Sequence, residues 1–169
     1  MKRIALIAIA AATLASSGIL DAAQCGSRIG GGLHYLRTLG DIKDASGWDE
    51  NAVAILGSYQ YAPPGILSIE GDVEWVIDYA GDKDMIEPQA WLLLGRMLYA
   101  GGGIGIGYID GDWLDEPFYA LRAGVDLPLG SLHLDAFATY RFQNSKVFDD
   151  VNQEDLDAIT FGAVVRLGE

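Results

Sequence analysis

Residues 99–111 read YAGGGIGIGYIDG, and the fold turns on what these glycines are for. A dinucleotide-binding turn needs G-x-G-x-x-G between a strand and a helix, and a P-loop closes its glycines with lysine and serine or threonine. A frame starting at Gly101 puts Ile106 at the last glycine position, one starting at Gly103 puts Tyr108 there, and no lysine follows. The stretch alternates instead. Gly103, Gly105 and Gly107 take one face of an extended chain, and Ile104, Ile106 and Tyr108 take the other, which is the period of a β-strand.

The same alternation recurs along the chain and predicts eight strands, at about 28–38, 52–61, 66–79, 89–99, 102–109, 118–127, 131–142 and 157–167. Strands two, four and six are followed by tight connections, APPG at 62–65, AGG at 100–102 and PLG at 128–130. The other connections are long and acidic: GDIKDASGWDEN, AGDKDMIEP, DGDWLDEP and QNSKVFDDVNQED. Short turns at one end and long loops at the other describe an all-β, eight-stranded antiparallel up-and-down barrel. The fourth strand competes with a helix: Leu92, Leu93 and Leu94 blur its alternation, Pro88 could open a helix and Gly101 could cap one. A helix there leaves an odd strand and breaks the rhythm of the loops, so strand is preferred.

Ahead of the strands, Lys2 and Arg3 precede the uncharged run IALIAIAAATLA. The run is too short to span a bilayer and is followed by small residues, the pattern of a secretory signal peptide. We expect a signal peptide over 1–22 and a barrel domain over 23–169. Losing Lys2, Arg3 and Asp21 takes the formal charge from −13 to −14, which repels nucleic acid. The single Cys25 excludes an internal disulfide. It follows Gln24, where a lipobox carries a small residue, so a free thiol is preferred over a lipid anchor.

Sorted by parity, one face collects Ile29, Leu33, Tyr35, Val53, Ile55, Tyr59, Ile69, Val73, Trp75, Ile104, Ile106, Leu121, Leu134, Phe161, Val165 and Leu167. The other collects Arg28, His34, Ser58, Gln60, Glu70, Asp72, Glu74, Asp78, Arg96, Arg122, Asp126, His133, Asp135, Thr139, Arg141, Thr160 and Arg166. A soluble carrier of an apolar ligand turns the first face inward, whereas a membrane barrel turns it to lipid. Two patterns favour the membrane. Aromatics gather at strand ends: Tyr35, Trp75, Tyr79, Trp91, Tyr108, Tyr119, Tyr140 and Phe142 toward the long loops, and Tyr59, Tyr61 and Tyr99 toward the short turns. Five of the seven arginines fall on the polar face, while the lysines occupy only the signal peptide and long loops. A forked guanidinium can hold two carboxylates in a confined interior. Gly103, Gly105 and Gly107 are then expected to face that interior and leave room for the arginines.

With these features the chain resembles the small eight-stranded outer-membrane barrels of Gram-negative bacteria, the OmpX-like and OmpA-transmembrane-like group. Such barrels carry a C-terminal assembly signal of polar, any, Gly, any, any, hydrophobic, any, hydrophobic. Residues 160–167, TFGAVVRL, match it, departing in Leu167, where the final position is an aromatic, and in the trailing Gly168 and Glu169. The resemblance implies the cell outer membrane, the outer-membrane assembly machinery as a partner, contact with outer-membrane lipid and lipopolysaccharide, and a monomer.

Some barrels of this size modify lipid A, with sites that the resemblance implies would use His, Ser and an acid. His133 and Asp135 share a face near the short turns, His34 lies nearer the long loops, and there is no His-x-Ser. No catalytic, cofactor-binding or metal residue is therefore assigned. Glu70, Asp72 and Glu74 could bind a divalent cation or exchange protons, but inward arginines nearly balance them, so an internally satisfied network is preferred. The acidic loops are read as a solvated rim, the alternative being cations shared with lipopolysaccharide phosphates. The functional expectation is a closed, non-enzymatic barrel serving envelope integrity or surface contact. A lipid A-modifying enzyme and a soluble periplasmic carrier are the alternatives.

Overall fold

The computed structural model describes residues 26–38, 51–77, 83–114, 116–142 and 157–168. The expected signal peptide, Cys25, Asp78, Tyr79, all but the last residue of GDIKDASGWDEN and the whole of QNSKVFDDVNQED lie outside the described residues. Eight long strands form the wall: β1 (Gly26–Thr38), β2 (Asn51–Ala62), β3 (Leu67–Ile77), β4 (Met85–Gly95), β5 (Leu98–Gly105), β8 (Phe118–Leu129), β9 (Leu132–Phe142) and β10 (Ala158–Gly168). Two-residue strands β6 (Tyr108–Ile109) and β7 (Asp112–Trp113) make a small hairpin in the loop after β5. Each long strand pairs antiparallel with its long-strand neighbours in sequence, and β1 pairs with β10 from Arg28↔Gly168 to Thr38↔Ala158. The sheet is a closed antiparallel barrel with no free edge along its wall.

Side-chain direction follows the predicted parity except over the expected fourth strand, 89–99, where it is reversed. On β2 the inward Ala52, Ala54, Leu56, Ser58, Gln60 and Ala62 are all buried and the residues between them exposed. Around the barrel the exposed set is apolar, including Ile29, Leu33, Ile55, Val73, Leu121, Leu134, Phe161, Val165 and Leu167. The buried set holds the charge, with four arginines, two histidines and six carboxylates beside apolar side chains. A soluble carrier needs the reverse arrangement. This is a barrel turned outward to lipid.

Six strands lie where the sequence places them, and the β4–β5 hairpin does not. Its turn is Arg96-Met97, entered through Gly95 at φ 122°, a left-handed conformation that favours glycine. The expected turn, AGG at 100–102, lies within β5. Both strands therefore shift toward the N-terminus by four residues: β4 runs Met85–Gly95 rather than 89–99, and β5 runs Leu98–Gly105 rather than 102–109. Pro88 stays inside β4 opposite Val73, at the break between the β4–β5 pairing, which ends at Gln89↔Gly105, and the β4–β6 pairing, which ends at Ile86↔Tyr108. A residue without an N–H is tolerated where the ladder is interrupted.

At the long-loop end Leu36, Ala52, Ala54, Val76, Met85 and Ala158 form an apolar layer across the interior. Ile109 and Leu114, flanking the β6–β7 turn, pack against it. The hairpin turn itself is Asp110-Gly111, both at positive φ, the geometry that matches strand twist in a two-residue hairpin.

Candidate functional site in the barrel lumen

Below the apolar layer the lumen is a stack of ion pairs. Because β3 alternates strictly, Glu70, Asp72 and Glu74 all point inward and all are buried. Nearest the long loops, Arg141 on β9 donates to Glu87 at 2.7 Å and to Glu74 at 2.8 Å. In the middle, Arg122 on β8 donates to Glu70 at 2.7 Å and Asp72 at 3.0 Å. Arg166 on β10 meets Asp135 at 2.6 Å and Glu70 at 2.8 Å, and Gln60 donates to the same Glu70 at 2.9 Å. Nearest the short turns, Arg28 reaches Asp126 at 2.8 Å and Gln60 at 3.0 Å. These guanidinium groups bridge strands that are not neighbours, so the network ties the wall across its diameter.

The two histidines belong to different layers. His133 lies 3.0 Å from Asp126 through Nδ1, while Asp135 accepts from Arg166 and from the Tyr99 hydroxyl. His34 lies 2.6 Å from Glu74 through Nδ1 and 2.7 Å from the Thr160 hydroxyl through Nε2. An acid, an imidazole and a hydroxyl in this order have the connectivity of a nucleophilic relay. The sequence reading missed it because the three residues come from β1, β3 and β10, and because the hydroxyl belongs to threonine without a local His-x-Ser. Thr160 is fully buried, and the His34 and Phe137 rings meet in a T-shaped contact at 5.3 Å between centroids. The relay has no open approach among the described residues.

Four aromatic rings share the lumen, and each lies over a glycine directly opposite on the neighbouring strand. The pairs are Trp91 with Gly103, Phe118 with Gly105, Tyr99 with Gly124 and Phe137 with Gly162. A Cβ added at any of these glycines would come within 2.3 to 2.5 Å of the facing aromatic side chain. Gly107 makes room for Leu114 and Met85 in the same way. The opening glycines do face the interior, but aromatic rings and the upper apolar layer take the space they leave, not arginines. The arginines stack on the rings: Arg122 over Trp91 and Phe137, and Arg141 over Phe118.

Several expected positions move accordingly. Trp91 and Tyr99, expected in the aromatic girdles, are inside and buried, because the odd positions of β4 and β5 point inward, whereas an inward Arg96 would put the even positions of 89–99 there. Arg96, expected on the lumen face, sits in the β4–β5 turn and donates to the Pro63 carbonyl at 2.7 Å. Glu87, read as a loop residue, is a buried lumen carboxylate. Exposed Tyr35, Trp75, Tyr119 and Phe142 remain outside near the long loops, with Tyr59 and Tyr61 near the short turns. In the loop after β5, Asp110 pairs with Lys83. Among the described residues no cluster of three or more His, Cys, Asp or Glu is placed to hold a metal.

No protein-family model and no curated protein matches the sequence. Solved structures do. Neisserial surface protein A aligns at TM-score 0.60 and 12% identity over 85% of this chain and 99% of its own. A de novo designed transmembrane β-barrel aligns at TM-score 0.51 and 13% identity, covering 87% of this chain and all of the design. Ail of Yersinia pestis aligns at TM-score 0.48 and 17% identity, covering 87% and 100%. At these identities the likeness is one of fold. The chain has the fold of the small eight-stranded barrels of the Gram-negative outer membrane, with the apolar belt and polar lumen that such a barrel requires.

Proposed function

We propose that this chain is a monomeric, non-enzymatic barrel of the cell outer membrane that passes no solutes and serves envelope integrity or surface contact. Its partners in this reading are outer-membrane lipid and lipopolysaccharide, with the assembly machinery acting on the 160–167 segment. The observation that carries the reading is the filled lumen: paired charges span its middle, and an apolar layer under the β6–β7 hairpin closes the long-loop end. Charged groups paired across the interior stiffen a wall but leave no aqueous path. The test is conductance of the refolded chain in planar bilayers. Absence of discrete conductance steps supports the reading, and stable ion-conducting openings overturn it.

A second reading, lipid A modification, draws on the Glu74, His34 and Thr160 relay. The burial of Thr160 counts against it. Mass spectrometry of lipid A from cells carrying the native chain, Thr160→Val or no copy decides the matter: a species lost with both the deletion and the substitution would establish the enzyme.

A further inference from the structure

The lipid-facing wall is not uniform. Where β3, β4 and β5 meet, most outward positions carry Ile, Leu, Val or aromatic side chains, but Gly71 on β3, Pro88 and Ala90 on β4 and Ala100 and Gly102 on β5 do not. Gly71 pairs with Ala90, and Gly102 pairs with Leu92 on one side and Leu121 on the other. The result is a shallow, open hollow of about 430 Å³ lined by Ile69, Ala90, Trp91, Leu92, Gly102, Gly103 and Ile104. Its floor is backbone and its walls are the projecting Ile69, Leu92 and Ile104, each about half exposed.

We propose that this hollow binds one acyl chain of a membrane lipid and holds it longer than the surrounding lipid is held. The inference rests on the transmembrane reading, because the hollow is continuous with the apolar belt that faces the bilayer. Its shape favours a slender, flexible hydrocarbon over a second copy of the barrel: a two-fold pair would bring the Ile69, Leu92 and Ile104 ridges against one another and hold the floors apart. Glycine at the floor brings the chain against backbone, where dispersion contacts accumulate along its length. Directly behind the floor, Trp91 lies against Gly103 inside the lumen, so only backbone separates the indole from the occupant.

That indole supplies the test. With Trp48, Trp75 and Trp113 replaced by Phe, Trp91 is the sole reporter, and the chain is reconstituted in phosphatidylcholine with or without bromine atoms at mid-chain. The expected result is quenching of Trp91 emission by the brominated lipid, largely relieved by Gly102→Leu, which fills the hollow. Equal emission in both lipids, or quenching unchanged by Gly102→Leu, overturns the proposal. If the triple substitution prevents folding, native mass spectrometry of the otherwise unaltered chain released from phosphatidylcholine nanodiscs replaces it. One retained lipid that is lost in Ala90→Leu supports the site, and equal retention overturns it. Efficient disulfide linking of Gly102→Cys between copies would assign the hollow to a second barrel instead. A chain that fails to float with liposomes defeats the membrane reading itself, an outcome distinct from an inserted barrel with an empty hollow.

Discussion

The guanidinium carbon of Arg122 lies 3.8 Å from the centroid of the Trp91 ring. The same guanidinium has Phe137 at 4.1 Å and carboxylates of Glu70 and Asp72 in hydrogen-bond contact. Ring faces and carboxylates together replace the water that a cation loses on entering the lumen. Arg122→Leu strands Asp72 while Glu70 keeps Arg166 and Gln60, and the expected cost is roughly 3 to 5 kcal/mol, as for breaking one side of a buried pair. Arg37, exposed at the end of β1, is the control; Arg37→Gln is expected to cost less than about 1 kcal/mol. Urea unfolding in liposomes followed by circular dichroism reads both without depending on the indole that Arg122 touches. Equal, small effects would show that the polar face meets bulk water.

The glycines beneath the rings are expected to be intolerant by contact rather than by backbone angle. Gly103→Ala and Gly162→Ala force a methyl into Trp91 and Phe137, and each is expected to cost about 1 to 3 kcal/mol, the usual penalty of overpacking. A Cβ at Gly71 meets nothing within 4 Å, so Gly71→Ala is expected to stay within about 0.5 kcal/mol. The three variants unfolded side by side give the ranking.

Leu121 faces lipid within the apolar belt as the fourth residue of β8, opposite Gly102 and Tyr140. Leu121→Arg is expected to cost about 2 to 4 kcal/mol, the midplane penalty for a lipid-facing charge. Ile106 lies past the end of β5, half-buried, and Ile106→Arg is expected to cost about 0 to 1 kcal/mol, as near an interface. Insertion yields into liposomes, scored by heat-dependent gel mobility, check the difference. A soluble barrel would tolerate Leu121→Arg fully.

Replacing both Asp110 and Asp112 with Asn is expected to leave folding intact. The Lys83 partner of Asp110 is exposed, and asparagine accepts the positive φ of position 110 as readily as aspartate does. Asp110→Val puts a β-branched residue at φ 55° and is expected to loosen the β6–β7 hairpin, read as faster proteolysis of that loop. Failure of the double Asn variant to fold would mark the acidic loop as a structural metal site.

Parity carried most of the fold, because a two-residue period survives small errors in strand boundaries. Inward Glu70, Asp72 and Glu74, outward Val73 and Trp75, and the strand order all follow from it. The β4–β5 hairpin did not follow, because its turn residues, Arg96 and Met97, have no turn chemistry of their own. The signal was Gly95, outweighed by the denser glycines at 101–103. Trp91 and Tyr99 then read as girdle residues, since a ring in an aqueous-looking lumen is legible only once its facing glycine is known. The His34, Glu74 and Thr160 contact was out of reach for another reason: it depends on closure of the barrel, which brings β1, β3 and β10 around one interior.

That closure places an unusual demand on synthesis. Because β1 finds its second neighbour only in β10, the earliest strand must wait for the latest, and nearly the whole length of the chain separates the halves of one seam. Such a contact is slow to form, since the intervening loop must be closed first. Until it forms, both margins of the growing sheet offer unpaired N–H and C=O groups to any passing strand. Shortening the chain by its last strand would therefore not yield a slightly smaller barrel. It would leave a trough open along its full height, with Arg166 gone from the centre and two adhesive edges where the wall should meet.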